Sequence, residues 1–147
     1  MAFVKQVLDK ARERLVTIEV GEELILAARL LRSGTDMIAA CDEAGVLRGI
    51  VTKTDVIARL SENGSLHQSM PVAGVMQEAV LTCGPDDDLE TVWLEMRARE
   101  FKNVPVIDGK GYPTGILNAR DALGVLLRES EDEETMLRDY VMGVGYR

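Results

Sequence analysis

The chain has 147 residues and a formal net charge of −8; 46% of its residues are apolar, but only 4% are aromatic. That length makes one compact domain or two small halves sharing a core, built here from Val, Ile, Leu, Ala and Met, which suits layered helices and short sheets. The acidic balance excludes a nucleic-acid surface, which needs a basic stripe. No apolar run is long enough to span a membrane, and Met1 to Lys10 lacks a signal peptide's apolar segment and cleavage site, so a cytoplasmic location is expected.

In chain order, Val4, Val7, Leu8, Ala11 and Leu15 fall at helical spacing and predict a short amphipathic lead-in helix. Val16 to Val20 alternates like a brief strand, and Gly21-Glu22-Glu23 opens a helix that runs to Leu31. Met37 to Cys41 is a short apolar strand, Asp42 to Gly45 a turn, and Val46 to Val51 the return strand. A helix follows from Asp55 to Leu60, and Ser61 to Ser69, with the only histidine (His67), reads as a polar linker. The order then repeats. Val72 to Met76 matches the lead-in, Ala79 to Cys83 the first strand, and Gly84 to Asp88 the start of a helix reaching Arg99. Val104 to Ile107, Asp108 to Gly111 and Tyr112 to Leu117 predict a second strand–turn–strand, followed by a helix from Asp121 to Leu127. Arg128 to Glu134 reads as a solvated acidic run, and Met136, Leu137, Tyr140 and Val141 as a separate last helix ended by Gly143 and Gly145.

The most informative stretch is Gly49-Ile50-Val51-Thr52-Lys53-Thr54-Asp55, which returns 66 residues later as Gly115-Ile116-Leu117-Asn118-Ala119-Arg120-Asp121. Each copy is a strand feeding directly into a helix, with Thr52 or Asn118 at the capping position. Such a junction can be a helix cap alone, or it can present free first-turn N–H groups to an anion. A fixed period over a whole supersecondary unit marks an internal duplication. Each unit is strand–helix–strand–strand–helix, too small to bury both sides of its sheet, so two units are expected to pack together.

These residues resemble a tandem pair of cystathionine-β-synthase-type (CBS) domains, a Bateman module. The resemblance rests on Gly49-Ile50-Val51-Thr52-x-x-Asp55, on Gly115-Ile116-Leu117-x-x-x-Asp121, and on Val104-Pro105-Val106-Ile107-Asp108-x-x-Gly111. Gly74-Val75-Met76 leading to Val80-Leu81-Thr82-x-x-Pro85 adds to it, and Leu137-Arg138-Asp139-Tyr140 is similar to the tails of small stand-alone bacterial members. It implies an α+β fold with two CBS repeats (5–66 and 72–130) about a pseudo-two-fold axis, a linker at 67–71, and an acidic segment with a short helix at 131–147. It further implies a regulatory module without catalytic residues that binds AMP, ADP, ATP or S-adenosylmethionine, needs no other cofactor, forms a homodimer and acts on a separate effector protein. By the family's pattern Asp55 and Asp121 would hold ribose, and Thr52, Lys53, Asn118 and Arg120 would lie near phosphate. Ile38, Ala39, Val104 and Pro105 would back the base, with Thr17 and Thr82 at its border. Ala39 stands where the second repeat has Pro105, and Asn118 where a hydroxyl residue is usual.

Other constellations carry less chemistry. His67 has no second histidine at ligand spacing, so no metal site is expected. Asp86-Asp87-Asp88 reads as partners of a helix dipole, and Trp93 with Met96 as core. Cys41 and Cys83 lack a C-x-x-C spacing and basic neighbours, and read as free buried thiols in a reducing compartment. The alternative to a ligand sensor is an interaction module with empty clefts.

Overall fold

The apolar run Met37–Cys41 is buried at every position and forms β2, the central strand of the first sheet. The computed structural model describes residues 1–63, 70–78 and 80–141. A 3-10 turn (Val4–Val7) runs into α1 (Leu8–Arg14), followed by β1 (Thr17–Glu19), α2 (Leu24–Leu30), β2, β3 (Leu47–Thr52) and α3 (Lys53–Asn63). A second 3-10 turn (Val72–Gly74) precedes α4 (Leu89–Ala98), β4 (Asn103–Ile107), β5 (Pro113–Asn118) and α5 (Ala119–Val141). β1 lies parallel to β2 with Thr17 opposite Ala39, and β2 runs antiparallel to β3. β4 and β5 repeat that antiparallel pair, with the same register shift near the turn. Both turns are closed alike. Asp42 Oδ1 accepts from the Ala44 and Val46 N–H groups, and Asp108 Oδ1 from those of Lys110 and Tyr112. The fold is α+β, with two repeats of one unit.

The first strand expected in the second repeat, Ala79 to Cys83, is reduced to a single bridge between Cys83 and Val106; residue 79 lies outside the described residues. The cause is visible one repeat earlier, where the Ala39 N–H donates to the Val16 carbonyl at 2.9 Å and ties β1 to β2. The equivalent position is Pro105, which has no N–H to give, so the chain around Leu81 stands off from β4.

Each lead-in docks on the opposite repeat. Val4 N–H bonds the Asp87 carbonyl (3.0 Å), Leu89 N–H bonds the Ala2 carbonyl (2.9 Å), and Val4, Val7 and Ala11 pack with Leu89, Met96, Val104 and Leu117. In return Leu24 N–H bonds the Met70 carbonyl (2.7 Å), and Val72 packs among Ile18, Leu24, Ile38 and Val51. A third small cluster of Met37, Ile50 and Ile116 seals the two repeats together. The motif glycines allow this approach. A Cβ on Gly49 would lie 2.6 Å from the Gln77 carbonyl oxygen, and one on Gly115 would lie 2.8 Å from the Ala11 carbonyl carbon.

The C-terminal region differs from the sequence reading. Instead of a helix ending at Leu127, an acidic run and a separate short helix, α5 is continuous over 23 residues. Arg128 to Glu134 contains no Gly or Pro and consists mainly of good helix formers, so the solvated acidic run is the middle of the helix. The expected stops at Gly143 and Gly145, His67, and residues 64–69 of the linker lie outside the described residues. Asp88 caps α4 by accepting from Thr91 N–H (3.2 Å), Asp87 accepts from Gly84 N–H (2.7 Å), and Asp86 faces Lys5, which accounts for the acidic triplet.

Candidate functional site

The gap left beside Pro105 is the floor of a cleft of about 500 Å³ between the repeats. Met37, Ile50, Val80, Leu81 and Pro105 give it an apolar floor, and Phe101 stands half out at its edge. The volume and mixed lining fit a small organic ligand. At one end α3 begins, with Thr52 as its cap and with Lys53 and Thr54 on the lining. An α-helix has no internal partner for its first N–H groups, which favour an anion. Lys53 Nζ is 3.1 Å from Asp36 Oδ1, while Lys102, also on the lining, makes no ion pair among the described residues.

Asp55 sits behind this lining as part of a capping box. Its Oδ2 accepts from Thr52 N–H (2.8 Å) and the Thr52 hydroxyl (3.0 Å), and the Asp55 N–H donates back to Thr52 Oγ1 (3.3 Å). Across the repeat boundary, Gln77 Nε2 donates to the same carboxylate at 2.9 and 3.2 Å.

A second groove of about 310 Å³ lies at the matching place in the other half, lined by Lys10, Glu13, Arg14, Gly34, Thr35 and Asp121. Asn118 caps α5, accepting from the Arg120 and Asp121 N–H groups at 3.0 and 3.3 Å, and donates to Asn103 Oδ1. Here the neighbour of the motif Asp is charged. Arg14 Nε is 2.6 Å from Asp121 Oδ2, and Arg14 Nη2 is 3.2 Å from Oδ1. The two halves also differ at the turn after their first helices. Gly34 (φ 91°) lines the small groove, whereas Glu100, 66 residues on, lines the large cleft at φ 58°. Its bonds form a Schellman end to α4: Glu100 N–H to the Arg97 carbonyl and Phe101 N–H to the Met96 carbonyl.

Of the residues singled out in the sequence, Thr52, Lys53 and Pro105 share the large cleft, though they come from different repeats. Ile38, Ala39 and Val104 are fully buried in the two repeat cores. Thr17 lies in another groove, beside Cys41 and Tyr112. Thr82 is half-buried and lines neither cleft, and Arg120 is on an outer groove beside α1. Sequence reasoning passed over Gln77, Glu100, Lys102 and Arg14. The readable signals were the contrast of Gly34 with Glu100 and of Ala39 with Pro105 at one period.

The CBS domain family matches residues 4–62 and again 72–128. The chain belongs to the CBS domain family. The CBS-domain containing protein ATU1752 of Agrobacterium tumefaciens superposes with a TM-score of 0.72 at 25% identity, over 84% of this chain and 98% of that one. The CBS domain pair of protein MJ0100, in complex with 5'-methylthioadenosine and S-adenosyl-L-methionine, superposes at 0.71 with 23% identity, over 85% and 99%. In sequence, L-aspartate semialdehyde sulfurtransferase of Methanocaldococcus jannaschii is 25% identical over 122 residues, 82% of this chain. The CBS pair spans only 22% of that relative's length, and 23% of a homoserine O-acetyltransferase of Methanococcoides burtonii.

Both thiols of the CBS pair are buried and far from reactive. Burial, with Asp87 adding to it, pushes Cys83 up to about 12 from an ordinary 9.0, and burial, then Asp42, raises Cys41. A thiol-reactive probe at neutral pH is therefore expected to label neither cysteine until the protein is unfolded. The same shift predicts an alkaline limit. The unfolded Cys83 thiol loses its proton near 9.0 while the folded one keeps it to about 12, so its contribution is complete below pH 9. Stability then falls by about 1.4 kcal/mol per pH unit above that, readable in denaturant melts between pH 8 and 11. Among the described residues no three His, Cys, Asp or Glu side chains gather as metal ligands, and no helix is long and apolar enough to cross a membrane.

Proposed function

We propose that this CBS pair is a cytoplasmic regulatory sensor that takes an adenosyl ligand (AMP, ADP, ATP or S-adenosylmethionine) in the large cleft and signals to a separate effector protein. The observation that carries this reading is one cleft with an apolar floor at Leu81 and Pro105 and, at one end, the start of α3 at Thr52 and Lys53; Lys102 lines it too, as do the carboxylates of Asp36 and Glu100. A flat base suits the floor, and a phosphate or carboxylate suits the end. The adenosyl compounds held by the CBS pair of MJ0100 are of this class. Asp55 would turn its carboxylate from Gln77 to the ribose hydroxyls. Because Thr52 and Lys53 belong to one repeat and Leu81, Lys102 and Pro105 to the other, an occupant bridges both. It can then bias their packing by its differential affinity for the two arrangements. Thermal melts with AMP, ADP, ATP and S-adenosylmethionine test the reading. A hundredfold excess over Kd adds about 2.7 kcal/mol, or about 5–10 °C for a chain of this size.

The helices would carry the signal outward through a homodimer. Ile57 and Leu60 on α3, Leu94 on α4, and Leu123 and Leu127 on α5 are exposed apolar side chains. Light scattering at micromolar concentration is expected to give twice the 16.2 kDa chain mass; a monomer throughout that range overturns the dimer. A second reading, an interaction module with empty clefts, is favoured by the way Gln77 and Arg14 already satisfy Asp55 and Asp121. It predicts no melting shift with any of the four compounds.

A further inference from the structure

The two clefts of the pair are built from equivalent parts but finished differently. Behind the lining of the large cleft the motif Asp meets a neutral amide, Gln77, whose donor reaches it at 2.9 Å. In the small one it meets a guanidinium with two-pronged geometry at 2.6 and 3.2 Å, and the Asp121 side chain keeps only 9% of its exposure. Paired, planar, charge-assisted bonds of this kind are the strong ones, and they use both carboxylate oxygens. The hydrogen bond to Asp121 also raises the Arg14 pKa, so the cation persists at every accessible pH.

The floors differ too. The Ala39 N–H zips β1 to β2 through the Val16 carbonyl, whereas Pro105 leaves Val80 and Leu81 free to line the large cleft. The small groove accordingly has no apolar side chain on its lining beyond the stems of Lys10 and Arg14.

We infer that Arg14 acts as a built-in occupant of the small cleft, its guanidinium taking the place on Asp121 that a ribose would need, so that each chain has one adenosyl site rather than two. This rests on the adenosyl reading of the large cleft. The pair is a single-site sensor by construction, and Arg14 is the residue that makes it so. A ligand entering the small cleft would have to break a charged pair, and one entering the large cleft only an amide contact.

Calorimetric titration with ATP and, separately, S-adenosylmethionine tests this on the full chain and on Arg14→Gln. Glutamine copies the partner that Gln77 gives Asp55 and keeps Asp121 supplied with a donor. Arg14→Met, with a stem of similar bulk and no donor, is the second variant should the first not fold, and circular dichroism checks both. The expected result is one molecule of the binding compound per parent chain and two per variant chain. One site in both, or two in the parent, overturns the role of Arg14 and leaves the large-cleft reading standing. None in the parent and one in the variant supports the role of Arg14 and overturns that reading. None in either overturns both.

Discussion

Replacing Gly115 by alanine is expected to cost the fold about 1–3 kcal/mol or more, the price of overpacking where the neighbours cannot give. The added Cβ would stand 2.8 Å from both the carbonyl carbon and the Cβ of Ala11, and 3.0 Å from the Ala11 oxygen. Two of those three atoms are backbone of α1. Relief therefore means lifting α1 from β5, and with it Val7 and Ala11 from their contacts in the second core. Gly49→Ala is expected to be as harmful. Its Cβ would be 2.6 Å from the Gln77 oxygen, which is held in place by the Ile50 N–H at 3.0 Å. The Met76 side chain at 3.0 Å can move, but that backbone oxygen cannot. For a chain of this size the loss corresponds to a melting point lower by about 2–12 °C. Gly109→Ala is the control, since an added Cβ there meets nothing within 4 Å. If Gly115→Ala and Gly109→Ala melt together, the close approach of α1 to β5 does not limit the fold.

Those glycines show what a sequence conveys and what it withholds. The motif was legible because strand and helix periods change abruptly at Thr52 and Asn118, and because the change recurs 66 residues on. Met37–Cys41 was legible as a continuous apolar run, and the two turns as an Asp followed by a glycine three residues later, Gly45 (φ 89°) and Gly111 (φ 86°). The reason for Gly49 and Gly115 was not legible, because it lies in which segment crosses them. Local pattern describes the lead-ins as short helices, but their exchange between repeats is a long-range choice made by the buried faces of Val4 and Val72. The strand at Ala79 to Cys83 failed for a reason that was in the sequence. Pro105 stands where Ala39 donates its hydrogen bond, so this difference between the repeats removes a ladder bond. The candidate site was partly legible for the same kind of reason. Period and capping chemistry pointed to Thr52 and Lys53, but not to the fact that Pro105 of the other repeat closes their cleft. Gln77 and Arg14 carried no local signal, since each acts only through an Asp of the opposite repeat. Continuity of α5 past Leu127 was hidden by reading a dense acidic run as a solvated break, although Glu and Arg favour helix.

Asp55→Asn is expected to weaken adenosyl binding by about ten- to over a hundredfold while leaving the ligand-free protein almost as stable as before. A charged hydrogen bond to ribose contributes roughly 1.5–3 kcal/mol, which converts to that range of affinity. The carboxylate now has three donors: the Thr52 N–H, the Thr52 hydroxyl and the Gln77 amide. An amide oxygen at the same place can still accept from the Thr52 N–H, so most of the capping box survives. Its NH₂ end cannot accept from a second ribose hydroxyl, and the negative charge is gone. Asp55→Ala removes both roles. It is expected to cost about 0.5–2 kcal/mol of stability as a lost cap, and the same binding loss on top. Comparing the two variants separates the roles, because the cap alone predicts a stability loss with alanine and no dependence on the compound. Lys53 lies on the same cleft but is held by Asp36 at 3.1 Å, so the effect of Asp55 is expected with adenosine-containing compounds whether or not they carry phosphate. Should Asp55→Asn bind AMP, ATP and S-adenosylmethionine as the parent does, the carboxylate is a cap and nothing more.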